Sequence, residues 1–191
     1  MEKPKLLRRS QRREFFGHHM LLHAAELQLL EADKSEAGRF NCCLGAMVMT
    51  ALAVEALVNA VGSRVIEDWQ SFERLNPLEK LERLQKQLHF VHEPTKKPWT
   101  VLRYLAGFRN DIAHAKPEAV EETKRFTESA SGKFMFQTPL STLEKEITLG
   151  NAKRSFEAVR ELKGVLADAL PVELRFGIYA DAWSHSTSNA E

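Results

Sequence analysis

The feature that most constrains this chain is the run from Phe40 to Val61. Phe40, Leu44, Met47, Ala51, Val54, Val58 and Val61 alternate steps of four and three, the spacing of one helix face. Cys43, Val48, Leu52 and Leu57 add apolar surface on the remaining sides. A helix that is apolar almost all round must be enclosed by other elements, so it belongs in the middle of a bundle. Cys42 to Val61 is also long enough to raise the question of a bilayer span. It carries Glu55 and Asn59, however, and an acid at mid-membrane costs about 3 kcal/mol on insertion scales. The expectation is therefore a buried core helix closed by Gly62, with no membrane as partner.

Helical spacing extends through most of the rest. Phe16, Met20, His23, Leu27 and Leu30 form one stripe before the central run. Asn76, Pro77 and Glu79 make a helix start with a capping box, followed by Leu78, Leu81, Leu84 and Leu88 on one face. Glu93 to Pro98 reads as a linker, and Pro98-Trp99 opens a fourth helix with Val101, Leu105, Phe108 and Ile112 inward. Pro117 stops that helix soon after His114. Asn151 is a cap candidate for a last helix with Phe156, Val159, Leu162, Leu166 and Leu170 inward, closed by Pro171. Between them, residues 117–150 are less regular: a helical continuation to about Phe126, a loop at Ser129 to Gly132 and a short strand at Lys133 to Gln137 are expected. The sum is an all-α fold, an up-and-down bundle of four long helices plus a shorter one, with strand signals too sparse for a sheet.

Composition sets the boundaries. With 191 residues and 43% apolar content, residues 14–170 can form one core without disulfides or metals. The net charge of +1 implies no partner, but residues 1–13 hold six basic side chains against Glu2. That leaves a +5 arm on a chain of about −4, which reads as a solvated terminus or as a contact for RNA phosphates. Residues 171–191 read as a partly disordered tail. Cys42 and Cys43 point about 100° apart on a helix, which suits neither a bridge nor a shared metal and fits a reducing compartment. The basic start runs into Glu14, His18 and His19, unlike a secretion signal, so a cytoplasmic protein is expected. His18, His19 and His23 lack a third well-spaced ligand and read as core or interface histidines. Trp69, Trp99 and Trp183 read as packing anchors.

One segment concentrates chemistry. Arg103, Gly107, Asn110 and His114 step by four, three and four along the polar face of the fourth helix. Gly107 there costs about 1 kcal/mol relative to alanine, and is explained by close packing, the commoner reason, or by room for a ligand. Arg109-Asn110-Asp111-Ile112-Ala113-His114 resembles the R-N-x-x-x-H form of the R-x(4–6)-H motif of HEPN domains. It follows an apolar helix with an embedded acid, Glu55, as in that family. The resemblance covers roughly residues 14–170, with 117–150 as an insertion.

Membership would imply a helical bundle, commonly a homodimer, whose two motifs meet near the interface. Many members are metal-independent RNases, several of them toxins or defence effectors held by a regulatory protein partner. The residues suit that chemistry: histidine exchanges protons near neutrality, and arginine fixes positive charge beside a phosphate gaining negative charge. His114 is then general base or acid, Arg109 the phosphate clamp, and Asn110 orients the histidine or binds the sugar-phosphate. No cofactor or metal is implied. Glu55 and Asn59 either face solvent or line the cleft, and Asp111 and Arg103 are supporting candidates. On an ideal helix Arg109 lies about 140° from His114, so the arginine wraps round, the helix end unwinds, or the two meet across a dimer. Arg109 could instead pair with Glu55 or Asp111 and simply hold helices, leaving a HEPN-like protein-interaction or RNA-binding module without catalysis. A helical adaptor working through its basic N-terminus is the third reading.

Overall fold

A computed structural model describes residues 7–123, 125 and 138–189. Among the described residues the fold is mostly helical (65%), about twice the average for globular domains, with one two-stranded sheet. In chain order the elements are β1 (Leu7–Glu14), α1 (Gly17–Lys34), α2 (Arg39–Val65), α3 (Pro77–Leu88), α4 (Trp99–Ala113), α5 (Thr142–Glu146), α6 (Leu149–Ala169), α7 (Phe176–Tyr179) and β2 (Ala182–Asn189). The four long helices α1, α2, α4 and α6 and the shorter α3 fall where the periodicity places them. The expected strand at Lys133 to Gln137, the loop at Ser129 to Gly132 and the end of the helical continuation at Phe126 lie outside the described residues. Residues 117–123 are not helical.

Helix α2 is the axis of the bundle, packed by α1, α3, α4 and α6. Cys43, Met47, Val54, Leu57, Val58 and Val61 are buried, as an almost wholly apolar helix requires. By length and composition α2 is also apolar enough to cross a membrane. Gly62 does not end it. The helix continues to Val65, and the Trp69 ring lies against Gly62 so closely that a Cβ there would sit 2.4 Å from it. The glycine is a packing seat for tryptophan rather than a stop.

Start signals hold well at α3. Asn76 Oδ1 accepts from the Leu78 and Glu79 amides at 3.0 and 3.1 Å, and Glu79 Oε2 accepts from the Asn76 amide at 3.0 Å. At α6 the cap is Thr148, whose hydroxyl accepts from the Asn151 amide at 3.1 Å. Asn151 is instead the third helical residue, its side-chain amide donating to the Glu146 carbonyl at 2.8 Å.

Helix α1 presents a different face from the one its largest residues suggest. Leu22, Ala25, Leu29 and Ala32 point inward with His18, whereas Met20, Leu27 and Leu30 are more than half exposed and His23 faces water. Both stripes have helical spacing. The buried one carries two alanines, which let the backbone of α1 approach α2. Gly17 lies against Ala56 and Gln28 against Gly45, so the two helices run antiparallel.

His18 is fully buried, its Nε2 donating to the Ile178 carbonyl at 3.4 Å, with Nδ1 unpartnered. Burial, reinforced by neighbouring His19, lowers its pKa to about 4, because charging it would put a second N–H where no acceptor stands. Unfolding restores the ordinary value near 6.5, so between these values the unfolded chain binds more protons than the folded one. Stability is therefore full above about pH 6.5 and falls by roughly 3 kcal/mol towards pH 4. Urea midpoints measured across this range should decline in the wild type and flatten in His18→Leu; equal slopes would contradict the assignment.

Two corrections concern residues 7–14 and 182–189. The basic arm is a strand over Leu7–Glu14, and the tail expected to be disordered is its antiparallel partner over Ala182–Asn189. Neither strand alternates apolar and polar residues, which is why periodicity missed them. Trp69 and Trp99 are buried anchors, but Trp183 on β2 is 60% exposed. Cys43 is buried and Cys42 partly so; both are free thiols.

Candidate functional site

Helix α4 holds itself to the core through Val101, Leu102, Leu105 and Phe108, which leaves its opposite face free for polar groups. Arg103, Gly107 and Asn110 run along that face as a ridge between two grooves. The first groove, about 520 Å³, is bounded by α2, α4 and the 73–78 turn, and is lined by Glu55, Asn76, Arg103, Arg109 and Asn110. The second, about 1190 Å³, opens between α4, α5 and α6, and is lined by Arg103, Asn110, Asp111, His114, Lys116 and Arg154 among others. Gly107 borders both.

Asn110 is thus shared, Arg109 faces the first groove and His114 the second. Arg109 Nη1 donates to Asn110 Oδ1 at 3.2 Å, so the guanidinium leans towards the ridge but does not line the histidine's groove. The helix has ended by His114, which is the C-cap residue with φ −119° and ψ 20°. Its backbone amide bonds the Asn110 and Ile112 carbonyls. The fixing bonds are backbone ones, and the side chains of Arg109, Asn110, Asp111 and His114 are all exposed.

Gly107 is not there for close packing. A Cβ at this position would meet nothing within 4 Å, so the glycine leaves the ridge low and open where the two grooves adjoin. Gly107→Ala should therefore stabilise α4 by about 1 kcal/mol, a rise of some 2–4 °C in thermal midpoint. Gly107→Gln should instead place a long side chain across the ridge where the two grooves adjoin.

The supporting residues divide. Glu55 does line the Arg109 groove, but its carboxylate takes the Lys80 ammonium at 3.4 Å rather than Arg109. Lys80, unremarked in the sequence because it lies on a polar-looking stretch of α3, is only 1% exposed. Asn59 lines a separate groove with Arg64 and Lys80 and meets neither Arg109 nor His114. Arg103 donates to the Pro94 carbonyl at 3.4 Å, which ties α4 to the preceding loop. Among the described residues, no group of three His, Cys, Asp or Glu side chains has the geometry to hold a metal.

The second groove contains residues that no motif announces. Tyr104 Oη donates to Glu146 at 3.0 Å, and the Arg154 guanidinium lies 5.2 Å from the Tyr104 ring centre. Burial and the bond to Glu146 push the Tyr104 pKa up to about 12, so the phenol stays a neutral donor. Thr142 binds the Glu118 carboxylate through its amide and its hydroxyl, the latter at 2.9 Å, closing the groove's far side. Arg154 and Glu146 lie more than thirty residues beyond α4 in the sequence, so only the packing of α6 on α4 reveals them. Comparison with models of known families, with curated proteins and with solved structures gives no match.

Proposed function

We propose that this chain is a metal-independent endoribonuclease of the HEPN type, a cytoplasmic homodimer whose catalytic groups are Arg109, Asn110 and His114. The supporting observation is the exposed end of α4: a permanently charged fork, an amide and a histidine project from backbone-fixed positions beside open grooves. In this scheme His114 takes the proton of the ribose 2′-hydroxyl as its oxygen bonds to phosphorus. The bond from phosphorus to the 5′-oxygen breaks, and that oxygen leaves as a hydroxyl after receiving a proton. The products are a 2′,3′-cyclic phosphate and a 5′-hydroxyl. Arg109 offsets the charge gathering on the phosphate. A toxin or defence role, restrained by a regulatory protein partner, goes with the same reading.

Arg109 and His114 of one copy address different grooves, so the proposal places them together across a two-fold interface, arginine from one copy and histidine from the other. Mixing Arg109→Ala with His114→Ala tests this arrangement. Each variant alone should keep at most about 1% of the activity, whereas a subunit-exchanged mixture should regain about a quarter of it through one intact site per mixed dimer. A mixture as inert as its components, beside an active wild type, would sink the composite site. The separation of the two grooves also favours a second reading, a non-catalytic HEPN-like protein-interaction or RNA-binding module. A wild type that binds RNA without cutting it would favour that one.

A further inference from the structure

The ribbon formed by β1 and β2 takes no part in the site on α4. Its register fixes the content of each face. Arg8, Ser10 and Arg12 share one face with Ser188, Ser186 and Ser184, and Arg9, Gln11 and Arg13 share the other with Thr187, His185 and Trp183. Residues 8–14 and 183–188 are all exposed, and at the ribbon's end Glu14 pairs with Arg64 of α2 at 3.0 Å. Among the described residues, Arg13 pairs with Asp181 but no carboxylate pairs with Arg8, Arg9 or Arg12. Trp183 is exposed and stacked on His185, ring centres 5.0 Å apart and planes within 20°.

An isolated two-stranded ribbon is marginal in water, and one without an apolar face gains least from folding. Four arginines on eight residues add repulsion. What such a surface lacks is a polyanion. Same-face residues recur about every 6.8 Å along a strand, so the arginines form a spaced row of cations that an extended phosphate backbone can follow. Arginine forks and serine hydroxyls are the usual phosphate contacts, and an exposed indole is the usual platform for an unstacked base. The absence of an apolar face argues against a lipid surface, which takes amphipathic elements.

We propose that the β1–β2 ribbon is a binding site for single-stranded RNA, with Arg8, Arg9 and Arg12 on phosphates and Trp183 on a base. The inference stands on the register and composition of the ribbon and is independent of the RNase reading.

The test uses the full chain and a fluorescent 2′-O-methyl oligonucleotide of about 20 nucleotides, whose blocked 2′-hydroxyls keep cleavage out of the measurement. Anisotropy titrations across a salt series should give a log–log slope that falls in magnitude by about 2 in the Arg8→Ala, Arg9→Ala, Arg12→Ala triple variant, since each single-strand phosphate contact carries about 0.7. Affinity should drop at least tenfold. Trp183→Ala should weaken binding by about 5- to 150-fold, the range for one lost base stack. A second variant guards against a melted strand: Ser184→Glu, Ser186→Glu and Ser188→Glu put carboxylates beside Arg8 and Arg12, which supports pairing and repels RNA. It should bind as poorly as the triple variant while helicity stays unchanged. Wild-type affinity and slope in either variant would overturn the proposal. So would a wild type that ignores the oligonucleotide at low salt, or one that prefers vesicles containing phosphatidylserine.

Discussion

Alanine at His114 is expected to lower RNA cleavage by about 10²- to 10⁴-fold with helicity and thermal midpoint unchanged, the range lost when a positioned proton-transfer group is removed. The two halves of that expectation come from different bonds. The side chain of His114 is exposed, so its loss opens no cavity. Its backbone amide closes α4 on the Asn110 and Ile112 carbonyls, a contact that alanine keeps. Arg109→Ala should cost about 10²- to 10³-fold, as for one transition-state donor, and Arg109→Lys should recover part of it because the charge returns without the planar fork. Initial rates on one labelled RNA, beside circular dichroism of each variant, separate chemistry from folding. A rate loss that tracks lost helicity would remove His114 from the chemistry.

Glu55→Ala is expected to destabilise the fold by about 3–5 kcal/mol, the range for stripping a buried charge of its partner. Lys80 is almost wholly enclosed and its ammonium meets Glu55 at 3.4 Å. Removing the carboxylate leaves that buried cation without its ion-pair partner. Lys80→Met removes the charge as well as the bond, and its effect should be far smaller, neutral or even stabilising. Denaturant midpoints of Glu55→Ala, Lys80→Met and the double variant decide it. If Glu55→Ala alone is no worse than the double variant, the pair holds nothing together. The sequence offers Glu55 as a lining residue of the cleft or a partner for Arg109, but the bond to Lys80 makes it chiefly a strut between α2 and α3. It still borders the Arg109 groove.

The legible part of the fold is the part written in local pattern. Helix α2 is apolar nearly all round, and α3 announces its start in three residues, so both could be placed from spacing and capping alone. The inward face of α1 could not. Two stripes of equal period compete there, and the choice falls to the smaller side chains because Ala25 and Ala32 permit close approach to α2. Gly62 misleads for a related reason: a glycine marks a helix end or a close neighbour, and Trp69 supplies the neighbour. The ribbon was illegible because its strands are polar on both faces, and its partners lie more than 160 residues apart.

At the site, the line of Arg103, Gly107, Asn110 and His114 could be read directly, since four residues on one helix need only the helical angle. All four do line one groove. The same angle foretold that Arg109 would turn away from His114, as it does. What α6 brings to that groove, Arg154 over Tyr104 and the bond from Tyr104 to Glu146, depends on tertiary packing and leaves no trace in any short window.

The most direct measurement sets wild type against His114→Ala and Arg109→Ala on total RNA in excess EDTA, with the product ends identified. Cleavage by the wild type alone, leaving 2′,3′-cyclic phosphate and 5′-hydroxyl ends, is the expected result. Equal cutting by all three proteins, or products with 5′-phosphate ends, would contradict an RNA-cleaving site at the end of α4.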